Sequence, residues 1–503
     1  MRNHRRVALA VASVAAASLV LAACSPAAGT NDGEPAEVAE SLTWMTMLHT
    51  PTTPEPDGPI EEALAEYTGT DVEFQWVPDA SKDEKINAVL ASDSLADITS
   101  LTNTTNASVR TALASGQFWD VEPYLADYPN LSEIDEQTIA SARVEGHLYG
   151  VPFQKPKARY GVLIRQDWLD ALGLEVPHTV EELGEVAVAF AQDDPDGNGA
   201  DDTTGFIDRA ESFKLGFRMI AGYFGAGNNF EVNDDDEVVP SFQSDEFKDA
   251  MEWYRELYEQ GAVNNEFVTV QKQNQQDAIA QSKGGIVITG LFEAKNYMAL
   301  AQSADPETPM AWALVNDMTY DDVPRRILSD TNGGFGGWLA ISTTRVKTED
   351  DLRAVLGYLD KLLDEEAFML MTNGIDGTHY EVSDDIVTVL DETLWEQEVQ
   401  PYASSRPSDT LVKFSNTTPY VDEANTLMEE NAEYTIIDPS LPLSSDTFDA
   451  RWSVIQQAAN DAYNKFMVGQ LDMDGYEAAI AALDGQGLSD VIDELTASYS
   501  EAG

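Results

Sequence analysis

The sequence runs to 503 residues and carries 89 Asp and Glu against 29 Lys and Arg, a formal net charge of −60. A chain so acidic repels phosphate backbones, which excludes nucleic acid as a partner. Hydrophobic residues make up 43% of the total, enough for large cores, and a single cysteine leaves no intrachain disulfide to form.

In chain order, Arg2, Arg5 and Arg6 precede a largely apolar stretch from Val7 to Ala17. This is the layout of a secretory signal and too short for a spanning helix. It ends in Leu21-Ala22-Ala23-Cys24, which fits the bacterial lipobox. Residues 1–23 are therefore expected to be a lipoprotein signal peptide, with the Cys24 thiol carrying the diacylglycerol. That implies a lipid-anchored protein on the extracellular face of the cell membrane. An ordinary signal with an incidental cysteine is the plainer alternative. Loss of 1–23 removes three arginines and no acid, leaving 26 cations against 89 acids, a net −63. Residues 24–40, rich in Ser, Pro, Ala, Gly and acid, read as a flexible tether.

The roughly 480 residues beyond the signal exceed what one core usually supports, so two or more domains are expected. SLTWMTMLHT from Ser41 reads as a strand, and GPIEEALAEYTG as an amphipathic helix opened by Pro59 and stopped by Gly69. TDVEFQWVP alternates as a second strand, KDEKINAVLASDS as a helix burying Ile86, Val89 and Leu90, and LADITSLT as a third strand. Strands alternating with helices imply a parallel sheet, an α/β class. Further on, Val162–Ile164 form a strand and DWLDALGL a helix closed by Gly173, with Trp168 on its core face. Thr179 and Glu182 make a capping box for the next helix. SDEFKDAMEWYRELYEQG places Phe247, Met251, Tyr254 and Leu257 on one face. SKGGIVITG and GGWLAIS are short buried strands, and helices dominate from Asp350 onward.

Chemistry-bearing motifs are few. The run Asp194-Pro-Asp196-Gly-Asn198-Gly199-Ala200-Asp201-Asp202 places side-chain oxygens at positions one, three, five and nine of an EF-hand-like loop. Gly199 stands at the sharp turn and Ala200 offers a carbonyl, but Gly205 replaces the bidentate Glu. A structural calcium is expected there, with an acidic turn as the alternative. Asp234 to Glu237 read as a solvated hairpin turn. The five histidines show no metal-ligand spacing, and no GxSxG, Walker or dinucleotide fingerprint occurs. Only a paired-carboxylate glycosidase stays open, because 89 acids make coincidental pairs unavoidable.

The pieces KINAVLASDSLADI, GQFWDVEPYL, GHLYGVPF, RQDWLDALGLEVPHTVEEL, DPDGNGADDTTGF, YFGAG, ELYEQGAVNNEF, SKGGIVITGLF, NGIDGTHYEV and NKFMVGQLDMDGYEAAIAAL occur in this order. Together they resemble the family 1 extracellular solute-binding lipoproteins of ABC importers, in the branch of alginate- and aldouronate-type oligosaccharide binders. The resemblance implies a periplasmic-binding-protein-like fold, two α/β lobes hinged on crossing segments. The first lobe is expected over 41–155 with 285–345, and the second over 156–284 with 346–503. It also implies a non-enzymatic monomer that delivers an oligosaccharide, neutral or uronate-containing, to ABC permease subunits. In the alginate-type loop, position ten replaces position twelve, which here nominates Thr203. Aromatic and polar candidates for the ligand surface are Trp44, Phe153, Gln154, Tyr160, Phe292, Trp338 and Trp395. A basic cleft would draw on Lys155, Lys157, Arg159, Arg165, Lys295, Arg325, Arg326 and Arg406. A binder of peptides or other solutes, and a lipid-anchored glycoside hydrolase, are the competing readings.

Overall fold

The computed structural model describes residues 38–502 apart from 51, 93, 105, 384–385 and 412–414. Cys24, the signal segment and most of the tether lie outside the described residues. Alternating apolar residues build two main sheets, each covered by helices, beside three small ones of two or three strands, so the chain is a two-lobe α/β protein.

The first sheet runs in the order Asp71–Pro78, Ser41–Leu48, Ile98–Leu101, Phe335–Ile341, Gly150–Gln154. Ser41–Leu48 pairs in parallel with both its neighbours, and Phe335–Ile341 is antiparallel to both of its own. The expected crossover helices stand between the parallel strands at Pro59–Thr68 and Lys82–Ser92. Pro59 occupies the first helical turn, where its missing N–H costs nothing. Gly69 ends the helix at φ +79°, a left-handed conformation that a Cβ would strain.

The second sheet runs Trp312–Val315, Tyr160–Arg165, Gly284–Gly290, Thr204–Phe206. The capping box opens the helix Val180–Gln192: the Thr179 hydroxyl accepts from Glu182 N, and the Glu182 carboxylate accepts from Thr179 N. Asp245–Glu259 buries Phe247, Met251, Tyr254 and Leu257, as its spacing requires.

The lobes exchange segments at points other than those expected. Gly284–Gly290 pairs with Tyr160–Arg165 and Trp312–Val315 joins the same sheet, so the return to the first lobe comes near 335 rather than at 285. The helices Glu349–Lys361 and Glu365–Asn373, with Val399 and Tyr402, pack on the first core rather than the second. Short apolar strands carry no label for their sheet, and only long-range pairing assigns them.

Candidate functional site

Strand direction locates the site. The parallel strands of the first sheet all end at one edge, near His49, Asp79 and Thr102, and Gly150–Gln154 ends at that edge too. In the second sheet, Thr204–Phe206 and Gly284–Gly290 end where Tyr160 begins its strand. The segment 155–159 joins these two edges, so loops after the carboxyl ends of both sheets meet at the crossings. Ligands bind there in open α/β sheets.

The crossings are stitched to one another. Lys155 N donates to Gly334 O at 2.8 Å, Thr331 Oγ1 to Pro156 O at 2.7 Å and Ser329 Oγ to Lys157 O at 2.6 Å. A third crossing enters where Gln154 N donates to Pro407 O and Asp409 N to Gln154 O. Lys155 pairs with Asp409 at 2.8 Å and Arg406 with the same carboxylate at 3.1 Å. Burial alone would push the Asp409 carboxyl up, but Arg406 and Lys155 hold it below the usual range.

One corner of this junction gathers a guanidinium, a phenol and an aromatic ring. Arg159 Nε donates to the buried Asp330 at 2.8 Å, and its guanidinium lies 5.3 Å from the Phe292 ring centroid. The half-buried Tyr160 follows directly, its phenol pushed up by burial and by Asp330 while Arg209, Arg159 and Arg218 oppose. Phe292 is half-buried against Gly290, where a Cβ would stand 2.3 Å from the ring. Arg159, Tyr160 and Phe292 thus stand together at this corner, with Gln154 one segment away.

Other expectations need correction. Trp44, Trp338 and Phe153 are 0%, 1% and 3% exposed, so none lies on a surface that a ligand touches. Trp44 sits in mid-strand and donates to Ser100 Oγ, and Trp338 donates to Ala142 O; both complete the first core. Of the basic candidates, Arg165 is buried against Asp167 and Trp168, a structural pair in the second lobe. Arg209 and Arg218 went unread, because nothing in their local sequence shows that their chain segments fold against Tyr160.

Trp395 stands on the first lobe, in the helix Glu392–Glu398. One face packs on the core, and Nε1 donates to Thr372 O at 3.0 Å. His379, wholly buried, braces the same helix: its Nδ1 accepts from Ile375 N at 3.0 Å, leaving Nε2 to donate to Glu398 at 3.1 Å. This gives the motif NGIDGTHYEV a physical role.

The lobes also touch away from the crossings. Arg110, on the first-lobe helix Ala107–Ala112, donates through Nη2 to Leu443 O at 3.2 Å and lies 3.4 Å from Asp449 in the second lobe. Arg110→Ala removes a partly screened ion pair and one charge-assisted bond, together about 1 kcal/mol. Ligand affinity should fall about fivefold as the arrangement that brings the lobes together here is populated less. Calorimetry checks this, and unchanged affinity would deny the contact any part in lobe closure.

In the loop after Gln192, Asp194, Asp196 and Asp202 converge on Asn198. The Asn198 amide donates to Asp196 at 2.8 Å and Asp202 at 3.1 Å, and its backbone N to Asp194 at 3.1 Å. The amide nitrogen therefore stands where a cation would, and Lys283 reaches Asp202 at 2.6 Å. The Thr203 hydroxyl donates to Phe190 O at 2.9 Å, which ties this residue to the end of the preceding helix. Among the described residues no cluster of three His, Cys, Asp or Glu is arranged to hold a metal. The loop is held in this form by hydrogen bonds of its own amides to Asp194, Asp196 and Asp202.

A family model for bacterial extracellular solute-binding proteins matches residues 60–377. The polygalacturonan/rhamnogalacturonan-binding protein YtcQ of Bacillus subtilis (strain 168) is 31% identical over 464 residues, 92% of this chain and 91% of that one. Lipoprotein LipO of the same organism is 28% identical over 495 residues, 97% of each chain. Among solved structures, the alginate-binding protein AlgQ2 without calcium ion shares 17% identity at a TM-score of 0.66, over 93% of this chain and 100% of that one. That likeness bears on the fold, two lobes hinged on crossings, and agrees with the architecture described above. With the model matched across more than half its length and a relative this similar end to end, the chain belongs to the bacterial extracellular solute-binding protein family.

Proposed function

We propose that this protein is the substrate-binding component of an ABC importer, capturing an extracellular oligosaccharide between its lobes and delivering it to membrane permease subunits. The observation that carries the reading is the corner of Arg159, Tyr160 and Phe292 at the crossings, in a chain 31% identical to a protein named for binding polygalacturonan and rhamnogalacturonan. Sugar rings present apolar C–H faces to aromatic rings and hydroxyl edges to amides and guanidinium groups, and this corner offers both. No reaction is assigned to the protein, which acts as a monomer. Cys24 is its lipid anchor, and the likeness to a protein named a lipoprotein supports that. The loop of Asp194, Asp196, Asn198, the Ala200 carbonyl and Asp202 is proposed to hold one structural calcium.

The mature protein incubated with plant and algal oligosaccharides tests the function. Stoichiometric binding of an unchanged oligosaccharide is expected, with altered tryptophan fluorescence and a stabilisation of about 2.7 kcal/mol at one hundred times the dissociation constant. Ligand turnover would instead make it a glycoside hydrolase, and binding of peptides alone would move it to another class of solute binder.

A further inference from the structure

We propose that the second lobe carries a saccharide site of its own, away from the crossings: a cavity of about 550 Å³ beside the strand Thr204–Phe206, bordered by the carboxamides of Gln192, Asn265 and Asn274, that takes a short uncharged sugar. This site is distinct from the one between the lobes and is tested separately from the oligosaccharide reading above.

Position separates it from the crossings. Gly284–Gly290 meets Tyr160 at its carboxyl end, where Gly290 is the partner. Thr204 pairs with Gly284 at the other end, just after Lys283. The seven residues of that strand, at about 3.3 Å each, put its two ends about 20 Å apart. Thr204 and Lys283 line the cavity, which runs along the outer side of Thr204–Phe206, the edge strand of its sheet. The helix Lys272–Ala280 and the ends of Val180–Gln192 and Asp245–Glu259 complete the walls. The volume falls within the about 300–1,000 Å³ of small-molecule sites.

Side-chain chemistry chooses the occupant. The floor is apolar, from the buried Ile207 and Val263 with Val270 and Ala278 half-buried beside them. At the rim, the side chains of Gln192, Asn265 and Asn274 are exposed and, among the described residues, make no hydrogen bond. Asn264 is different: it accepts from Asp208 N at 2.7 Å and donates to Asp208 O at 3.1 Å, so it is already committed. A carboxamide sets a donor beside an acceptor, which matches neighbouring hydroxyls, and an apolar floor matches the C–H face of a pyranose.

Two other occupants fit less well. Phe206 N donates to Ala262 O at 2.8 Å and Asn264 N to Phe206 O at 3.2 Å. The sheet edge is therefore taken, and a peptide finds no backbone ladder to extend. Anions meet Asp201, Asp202 and Glu266 at the border against one cation, Lys283, which Asp202 already holds at 2.6 Å. Those carboxylates repel a uronate and can accept from the hydroxyls of a neutral sugar.

The test titrates the mature protein, with calcium present, with neutral xylo-, malto- and fructo-trisaccharides and with trigalacturonate, while amide hydrogen exchange is followed across residues 260–283. At least one neutral sugar should bind saturably and slow exchange in 260–283, with little dependence on salt, and trigalacturonate should not. Asn265 and Asn274 are exposed, so Asn265→Ala combined with Asn274→Ala should leave the melting curve unchanged and weaken this binding at least about tenfold. Binding between the lobes should stay as in the wild type. No slowing in 260–283 with any neutral sugar, or slowing that the two changes leave untouched, would overturn the site without touching the oligosaccharide reading. Slowing in 260–283 with no tighter binding elsewhere would uphold the site and count against capture between the lobes.

Discussion

Trp395→Ala should weaken oligosaccharide binding at least about tenfold, a loss of about 1.4 kcal/mol, beside a lower melting temperature from the lost packing and the lost bond to Thr372. The indole is half-buried rather than engulfed, its N–H is anchored on Thr372 O, and His379 holds the far end of its helix through Glu398. A ring fixed at its edge and packed on one face loses little entropy when a sugar stacks on the other. Trp395→Phe keeps an apolar face but drops the bond to Thr372, so its affinity should fall between the two. His379→Ala unseats the helix without touching the ring, and should weaken binding while also lowering the melting temperature. Calorimetry on the three variants checks the series. Wild-type affinity in Trp395→Ala would take this residue out of the site.

The second large effect is expected from calcium. Three carboxylates converge on Asn198, with one lysine, Lys283, drawn to Asp202. Like charges this close favour a cation among them. Chelation should lower the melting temperature and added calcium restore it, with about 2.7 kcal/mol at stake when the ion is present at one hundred times its dissociation constant. Two or three charged ligands without a bidentate Glu suit millimolar extracellular calcium. The ion would pin the end of the helix Val180–Gln192, to which Thr203 is already tied through Phe190 O, so sugar affinity should hardly move. Asp196→Ala should melt like the chelated protein and fail to respond to calcium. Identical melting curves in EDTA and in calcium would leave a turn satisfied by its own amides.

What the sequence determined by itself is local. Pro59 and Gly69 bound a helix because one residue lacks an N–H and the other tolerates φ +79°. Thr179 and Glu182 cap another by mutual hydrogen bonds, and the Phe247, Met251, Tyr254, Leu257 spacing names its own buried face. Phe292 was legible as a candidate because it follows a strand end, Tyr160 because it lies on the first crossing segment, and Arg159 as one of the few basic residues available to a cleft. The tertiary structure alone decided the rest. Gly284–Gly290 is apolar on both faces and would suit either sheet until it pairs with Tyr160–Arg165. Trp44 and Trp338 look like exposed stacking residues until the helices of the first lobe close over them. Arg209 and Arg218 are remote in sequence from Tyr160, and only folding sets their charges beside it. Periodicity reports which side of an element is buried, whereas the neighbour that buries it is chosen by contacts hundreds of residues apart.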